Sequence, residues 1–120
     1  MRYLCLIYSD EKWWEKASEV ELKQGMADYN AFTDSIKKSG NYIGGEALQP
    51  TNTATSVRVR NGKLSTTDGP YVETKEQLGG FYMINAKDLN DAVQMASRIP
   101  GARHGTVEVR PIMELSQSQT

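Results

Sequence analysis

Asp68 is the residue of this sequence best suited to carry out chemistry. It stands in the tight turn Asp68-Gly69-Pro70, in which glycine and proline restrict the backbone. A carboxylate held at the mouth of a pocket can act as a general acid or base if desolvation raises its pKa. Alternatively, the carboxylate accepts backbone N–H bonds in an Asx-turn. Asp68 is therefore the predicted catalytic residue, with the Asx-turn as the open alternative.

A charged run follows this turn and supplies two predicted substrate-binding residues. Glu73 and Lys75, within the run Glu-Thr-Lys-Glu, can bind or polarise a polar substrate, or can form a solvated loop. The run leads to the glycine pair Gly79-Gly80. Because neither a GxGxxG nor a P-loop spacing surrounds this pair, close backbone approach or a bulge explains it better than phosphate binding.

Two further patterns lie in predicted loops. His104, the only histidine, titrates near neutrality when unperturbed, and it can bind substrate in a pair with Asp68 or Glu73 or lie exposed. The adjacent residues Trp13 and Trp14 fall in residues 9–16, a predicted polar loop. They can form a lid or an anchor for a partner, or they can pack on the neighbouring helix.

The remaining predicted binding residues belong to strands. Arg110 shares one face of the last strand with Glu108, so it can hold an anion or form a cross-strand ion pair. Tyr8 and Tyr82 end or cross the predicted central strands, so their rings can border a cavity. All three residues are predicted to bind substrate.

Composition excludes several classes of protein. The 120 residues suit one domain, predicted over residues 1–115 with a polar tail at 116–120. A net charge of −1 gives no electrostatic footprint for nucleic acid, and no apolar run has the length of a membrane span. One His and one Cys make a zinc site improbable, and no cofactor or metal is predicted. Cys5 is expected to be a buried thiol in a reducing cytoplasm.

Hydrophobic periodicity and capping signals predict the order of the elements. A helix begins at Ser18, where Ser18 and Glu21 form a capping box, and continues toward Gly40. A second helix begins after Asp88 and ends at Pro100. Strands are predicted at residues 2–8, 41–48, 80–86 and 106–113, and a hairpin with arms at 54–60 and 63–66 turns at Asn-Gly.

This order predicts an α+β fold, a ferredoxin-like split βαβ plait with an inserted β-hairpin. The first and third main strands of such a plait are central, and residues 2–8 and 80–86 are the strands that are apolar on both faces. Two helices cover only one face of the sheet. We therefore expect the other face to be buried in a homodimer that packs sheet against sheet.

The stretch DGPYVETKEQLGGFYMINAKDLNDAVQMASRIPGARHGTVEVRP, together with the opening MRYLCLIY, resembles the DGPF group of YCII-related proteins. The resemblance covers the chain except its tail. It implies a dimeric α+β barrel of two ferredoxin-like sheets but no settled activity. Some relatives are fused to, or encoded beside, extracytoplasmic-function sigma factors.

The wider superfamily contains a dehydrochlorinase and members with a proposed His–Asp pair. That pair places a His on the first helix and an Asp before a Pro that ends the second helix. This sequence has Asp28 and Tyr29 in the first region and Ile99 before Pro100. The pair is therefore not carried over, and His104 is not treated as a family site.

Three functions follow from these observations. The first is a cofactor-independent acid/base enzyme of the lyase or isomerase type, acting on an unknown small organic molecule with Asp68 handling the proton. The alternative is a non-catalytic small-ligand-binding or regulatory module, linked to sigma-factor-dependent transcription. The third is a structural dimerisation module, which would have no pocket of ligand size.

Overall fold

The computed structural model describes residues 1–115, and the polar tail predicted at 116–120 lies outside the described residues. The fold is α+β, with antiparallel sheets and three α-helices. Its elements in chain order are β1 (Arg2–Ser9), α1 (Glu11–Lys16), α2 (Glu19–Lys38), β2 (Tyr42–Ala47), β3 (Thr55–Arg60), β4 (Lys63–Asp68), β5 (Gln77–Asn85), α3 (Leu89–Ala96) and β6 (Thr106–Pro111), with 3₁₀ turns at Thr51–Thr53 and Pro100–Arg103.

The main sheet has four strands in the order β2-β5-β1-β6, and each neighbouring pair is antiparallel. This is the strand order of a ferredoxin-like plait, and the prediction that the first and third main strands are central is confirmed. β6 is an edge strand, as Pro111 predicts, since proline cannot donate to a ladder. β5 begins at Gln77, before the predicted start at residue 80, because Gln77 and Leu78 pair with the end of β1 beyond a bulge.

The prediction of a loop over residues 9–16 was wrong, because this segment contains helix α1. The side chain of Asp10 accepts a hydrogen bond from the backbone N–H of Lys12 at 2.9 Å and so caps the helix. Glu11 in the first turn and Lys16 in the last turn favour the helix dipole. The cap and these charges therefore stabilise the helix, although its six residues show no regular apolar period.

Helix α2 begins with the predicted capping box. Ser18 Oγ accepts from the Glu21 N–H at 3.2 Å, and the Ser18 N–H donates to Glu21 Oε1 at 3.0 Å. The sequence predicts an apolar stripe along this helix, formed by Leu22, Met26, Tyr29, Phe32 and Ile36. This stripe packs only toward the C-terminal end, where Phe32 and Ile36 are buried. Its first members, Leu22 and Met26, are exposed.

Helix α3 begins at the predicted cap, where Asp88 accepts a hydrogen bond from the Asp91 N–H at 2.9 Å. The sequence predicts an apolar stripe of Leu89, Ala92, Val93, Ala96 and Ile99, but Leu89 and Val93 are exposed whereas Met95 is buried. The buried side chains follow the helical spacing i, i+3, i+4 and i+7: Ala92, Met95, Ala96 and Ile99. Within residues 1–115, no helix is long and apolar enough to cross a membrane.

The two faces of the main sheet differ in burial. The inner face carries buried Tyr3 and Cys5 of β1 and Ile84 of β5, and this face packs on α2 and α3. The outer face carries the alternate residues of the same strands, which are only half-buried: Leu4, Leu6, Phe81 and Met83. This face is apolar in the middle of both central strands, and Arg2, Glu108 and Arg110 lie around that apolar area. It is therefore suited to contact with another surface.

Replacing Ser18 with Ala should lower the free energy of unfolding by about 1 kcal/mol, because helix α2 loses its cap. Chemical denaturation measures this change. Ser65→Ala, a matched change on exposed β4, should stay within about 0.5 kcal/mol of the native value. An equal effect of the two substitutions would contradict the role of the capping box.

The buried Cys5 thiol should make stability fall in alkaline solution. Its side chain is fully buried, and desolvation raises the pKa of the thiol from 9.0 to about 11. Because the folded-state pKa is the higher one, the contribution is complete below pH ~9 and is lost as the pH rises toward ~11. The slope contributed by this group approaches about 1.4 kcal/mol per pH unit.

Denaturation curves at pH 8, 9, 10 and 11 measure this effect, with Cys5→Ala as the reference. The variant should be less stable at pH 8 because it leaves a cavity, but its stability should decline less between pH 9 and 11. Parallel pH profiles for the two proteins would show that Cys5 is not responsible.

Candidate functional site

A cavity of about 630 Å³ lies between the helices and the half of the sheet formed by β2 and β5. Helix α1 and helix α2 form one wall, and the inner face of the sheet forms the other. The aromatic lining residues on these elements are Trp14, Tyr29, Tyr42, Phe81 and Tyr82, and the uncharged polar ones are Ser9, Asn30, Thr33 and Gln77. Small-molecule sites in proteins typically have this size and this mixture of aromatic and polar groups.

Glycines at the cavity allow neighbouring elements to approach closely. A Cβ atom on Gly45 would lie 2.8 Å from the ring of Tyr82, and one on Gly80 would lie 2.9 Å from the backbone oxygen of Glu46. A Cβ atom on Gly101 would lie 2.7 Å from the hydroxyl of Tyr29. Close approach, one of the explanations predicted for Gly79-Gly80, is thus confirmed at Gly80.

Tyr82 is the predicted binding residue that the fold places in the cavity. Its hydroxyl lies 2.6 Å from Thr33 Oγ1 on helix α2, so the two groups share a hydrogen bond across the cavity wall. Its ring makes edge contacts with Phe32 at 5.1 Å and with Tyr42 at 6.4 Å between centroids. Packing and the hydroxyl pair together fix the orientation of this side chain.

Two of the phenols at the cavity, those of Tyr29 and Tyr82, have a raised pKa and stay protonated near neutral pH. Burial raises the pKa of Tyr82, and the hydrogen bond from Thr33 opposes that rise in part. Burial also raises the pKa of Tyr29, while a hydrogen bond with the backbone of Gly101 acts in the opposite direction. These two side chains therefore offer neutral O–H groups to a ligand and are poor proton acceptors.

The mouth of the cavity is held by Glu11 at the start of α1. Its carboxylate accepts hydrogen bonds from the backbone N–H of Thr51 at 2.8 Å and from Thr51 Oγ1 at 2.7 Å. Its own N–H donates to Gln77 Oε1 at 2.9 Å. These bonds connect α1 to the turn after β2 and to the start of β5, and they fix the shape of the opening.

The charged residues lining the cavity are acidic: Glu11, Glu15 and Glu46. Glu46 pairs with Phe81, whose side chain is on the outer face, so Glu46 borders the cavity mainly through its backbone. Over residues 1–115, the lining includes no Lys, Arg or His. An uncompensated carboxylate disfavours an anionic guest, so the lining suits a neutral or cationic ligand.

The two tryptophans lie near a smaller hollow of about 240 Å³ on the other side of α1. Trp14 packs its ring on Gly25 of α2, 3.5 Å from an ideal Cβ position, and its Nε1 donates to Ser9 Oγ at 3.1 Å. Packing on the neighbouring helix is therefore confirmed for Trp14. Trp13 stacks on His104 with centroids 4.5 Å apart, so its neighbour is the loop before β6.

The charged turn and run of the sequence lie outside the cavity lining. Asp68 is the last residue of β4, is exposed, and faces Thr55 on the paired strand. The end of the hairpin is closed by a backbone hydrogen bond from Gly69 to the carbonyl oxygen of Ala54 at 2.7 Å. Glu73 and Lys75 are exposed in the segment between β4 and β5. Their binding roles and the catalytic role of Asp68 stay predictions.

The other two predicted binding residues on strands belong to the outer face. Tyr8 is half-buried and pairs with Leu78 and Thr106. Arg110 forms an ion pair with Glu108 at 3.4 Å, along one strand and not across two. The fold therefore does not bring Tyr8, His104 and Arg110 together with Tyr82.

Sequence reasoning missed several lining residues on α2. Asn30 and Thr33 flank the apolar stripe, one residue after Tyr29 and one after Phe32. Their spacing of three places them on one face of a helix, which is a signal that the sequence does contain. Among the described residues, no group of three or more His, Cys, Asp or Glu side chains could hold a metal ion.

Comparisons with known proteins agree with this architecture. The model of the YCII-related domain matches residues 1–116. An uncharacterized protein of Rhizobium meliloti (strain 1021) is 35% identical over 114 residues, which are 93% of this chain and 92% of that protein. A match over nearly the whole length, to a family model as well as to a relative, leads to one conclusion: the chain belongs to the YCII-related domain family.

Proposed function

We propose that this YCII-related protein binds a small organic molecule in the cavity between α1, α2, β2 and β5. The observation that carries the proposal is the cavity itself, of about 630 Å³, walled by aromatic side chains with a few oriented polar groups. The glycines that shape it and the hydrogen bonds of Glu11 hold its walls in place before a ligand arrives. Such preorganisation lowers the entropic cost of binding.

The ligand that fits best is aromatic and is either neutral or positively charged. The rings of Trp14, Tyr29 and Tyr42 can stack on a planar guest or attract a cation. Tyr82, with its Thr33 partner, and Asn30 can bind a hydroxyl group. Glu15 at the opening can pair with an ammonium group, whereas it would repel a carboxylate.

We further propose that the chain belongs to the DGPF group and forms a dimeric α+β barrel, in which the β3–β4 hairpin is an insertion into the plait. The half-buried apolar outer face supports the homodimer, because a second copy would remove it from water. The cytoplasm is the proposed compartment, which suits the free buried thiol of Cys5.

The first candidate is a non-catalytic binding or regulatory module. Because the chain resembles proteins associated with sigma factors, we propose that such a module takes part in transcriptional control. The protonated phenols of Tyr29 and Tyr82 favour this form, since neither is a ready base. Acid/base catalysis of the lyase or isomerase type is the second candidate. It is supported by Glu15, a carboxylate at the cavity, and its predicted proton-handling group is Asp68.

Three probes of similar size that differ in charge test the binding proposal: p-cresol, tyramine and 4-hydroxybenzoate. Tyramine and p-cresol should raise the melting temperature and give saturable heats in calorimetry, because the site accepts neutral and cationic rings. 4-Hydroxybenzoate should bind at least about tenfold more weakly, since its carboxylate lacks a cationic partner in the lining.

Tyr82→Phe should weaken the binding of tyramine about fivefold, since one hydrogen bond contributes about 1 kcal/mol. Tyr71→Phe is the matched control because Tyr71 is 78% exposed in the segment between β4 and β5. Calorimetry on both variants should show the loss for Tyr82→Phe alone. Equal affinities of the two variants, or tightest binding of 4-hydroxybenzoate, would refute the cavity as the site.

Asp68→Asn tests the catalytic candidate. If Asp68 handles the proton, the substitution should abolish turnover of any probe that the native protein consumes, while the dimer stays intact, because the amide keeps the shape but cannot accept the proton. Chromatographic analysis of each probe after incubation measures turnover. Unchanged turnover would remove Asp68 from the mechanism, and consumption of no probe by the native protein favours the non-catalytic form.

A further inference from the structure

The hairpin formed by β3 and β4, residues 55–68 and hereafter the arm, has one apolar and one basic face. Val57 pairs with Thr66, and Val59 pairs with Leu64, so the three apolar side chains lie on the same face. The exposed fractions of Val57, Val59 and Leu64 are 61%, 58% and 70%. The alternate positions on the opposite face include Arg58, Arg60 and Lys63.

The arm is fixed at its base but lacks support along its length. Its base is held by the hydrogen bond from Gly69 to Ala54 and by a bond of 3.0 Å from Ser56 Oγ to the carbonyl oxygen of Gly69. Its two strands contact each other, and no other helix or strand within residues 1–115 shares a substantial contact with either. Two-stranded hairpins are marginally stable in water, so such an arm needs a second surface.

The outer face of the main sheet is small for a dimer interface. The four strands have 8, 6, 9 and 6 residues, and with about 4.8 Å between strands and about 3.3 Å per residue they cover a flat area of roughly 460 Å². A stable interface buries about 800 Å² on each partner. Sheet-to-sheet packing alone therefore supplies roughly half of the usual area.

We propose that each subunit lays the Val57–Val59–Leu64 face of its arm on a second copy of this chain, as a continuation of the sheet-to-sheet interface. This inference rests on the homodimer proposed above. One face of the arm covers roughly 200 Å² by the same spacing. Because a two-fold interface is isologous, each copy provides one arm and receives one, so the arms supply the missing area.

The basic face of the arm agrees with this placement. Arg58, Arg60 and Lys63 are exposed and would remain at the wet rim of the interface, where charged groups keep their hydration. The apolar face would move from water to protein. One apolar and one charged face are what is expected of a pair of strands that is covered on one side only.

Two neighbouring substitutions test the proposal on the full chain. Leu64→Asp puts a carboxylate on the apolar face, and Ser65→Asp puts the same group on the opposite face. Leu64→Asp should weaken the dimer roughly a hundredfold or more, because each dimer loses two buried leucines. Ser65→Asp should change the dissociation constant less than about threefold. Sedimentation equilibrium over a range of concentrations measures both.

Amide hydrogen exchange of the native protein provides a second readout that does not depend on any variant. The amides of residues 55–68 should be protected above the dissociation constant of the dimer and exchange freely below it. Circular dichroism should show that the Leu64→Asp variant keeps its fold. If the variant does not fold, the exchange result for the native protein tests the proposal. The proposal stands when the amides of the arm gain protection upon dimerisation.

Several results would overturn the proposal. Equal dissociation constants for the native protein and Leu64→Asp, or equal weakening by both substitutions, would show that the apolar face is not at the interface. If the amides of the arm stay unprotected in the dimer, the apolar face does not contact the second copy and is available to a different partner. In both cases the homodimer itself survives, whereas a native chain that stays monomeric throughout would remove the dimer and the arm contact together. Ligand binding to the cavity is measured separately and depends on neither result.

Discussion

The structure depends on a geometric constraint, since α2 and α3 are enough to cover one face of a four-stranded antiparallel sheet and no more. Burial on the inner face, around Tyr3, Cys5 and Ile84, supplies the hydrophobic stabilisation of the fold. Because the side chains of a strand alternate between its two faces, β1 and β5 also place Leu4 and Met83 on the outer face. A sheet with apolar central strands and helices on one side therefore presents a half-buried apolar face on the other side.

The same constraint explains the cavity. Helix α2 packs on the sheet through Phe32 and Ile36, near its C-terminal end, whereas Leu22 and Met26 near its start are exposed. Toward the start of the helix, α1 and its Trp14 fill part of the space, and the remaining gap between helix and sheet is the site. The cavity thus lies where the core is thin.

The sequence predicted the order of the main strands, the central pair and both long helices, because strict capping signals and doubly apolar strands specify them locally. It did not predict α1, whose six residues have no apolar period, or the shift of the α3 stripe to Met95. The site was predicted only at Tyr82. The positions of Asn30 and Thr33 depend on how far α2 stands from the sheet, which is a property of tertiary packing and not of local pattern. Asp68, the most suggestive residue in the sequence, lies at the base of the arm, where the hairpin and not the cavity determines its surroundings.

The proposed homodimer requires that a second copy of the chain buries the outer face of the sheet. The mass of the native protein in solution, measured by sedimentation equilibrium at micromolar concentration, tests it most directly. The account predicts twice the 13.4 kDa mass of one chain. A mass of 13.4 kDa at those concentrations would contradict it, because the apolar face around Leu6 and Phe81 would then remain in water.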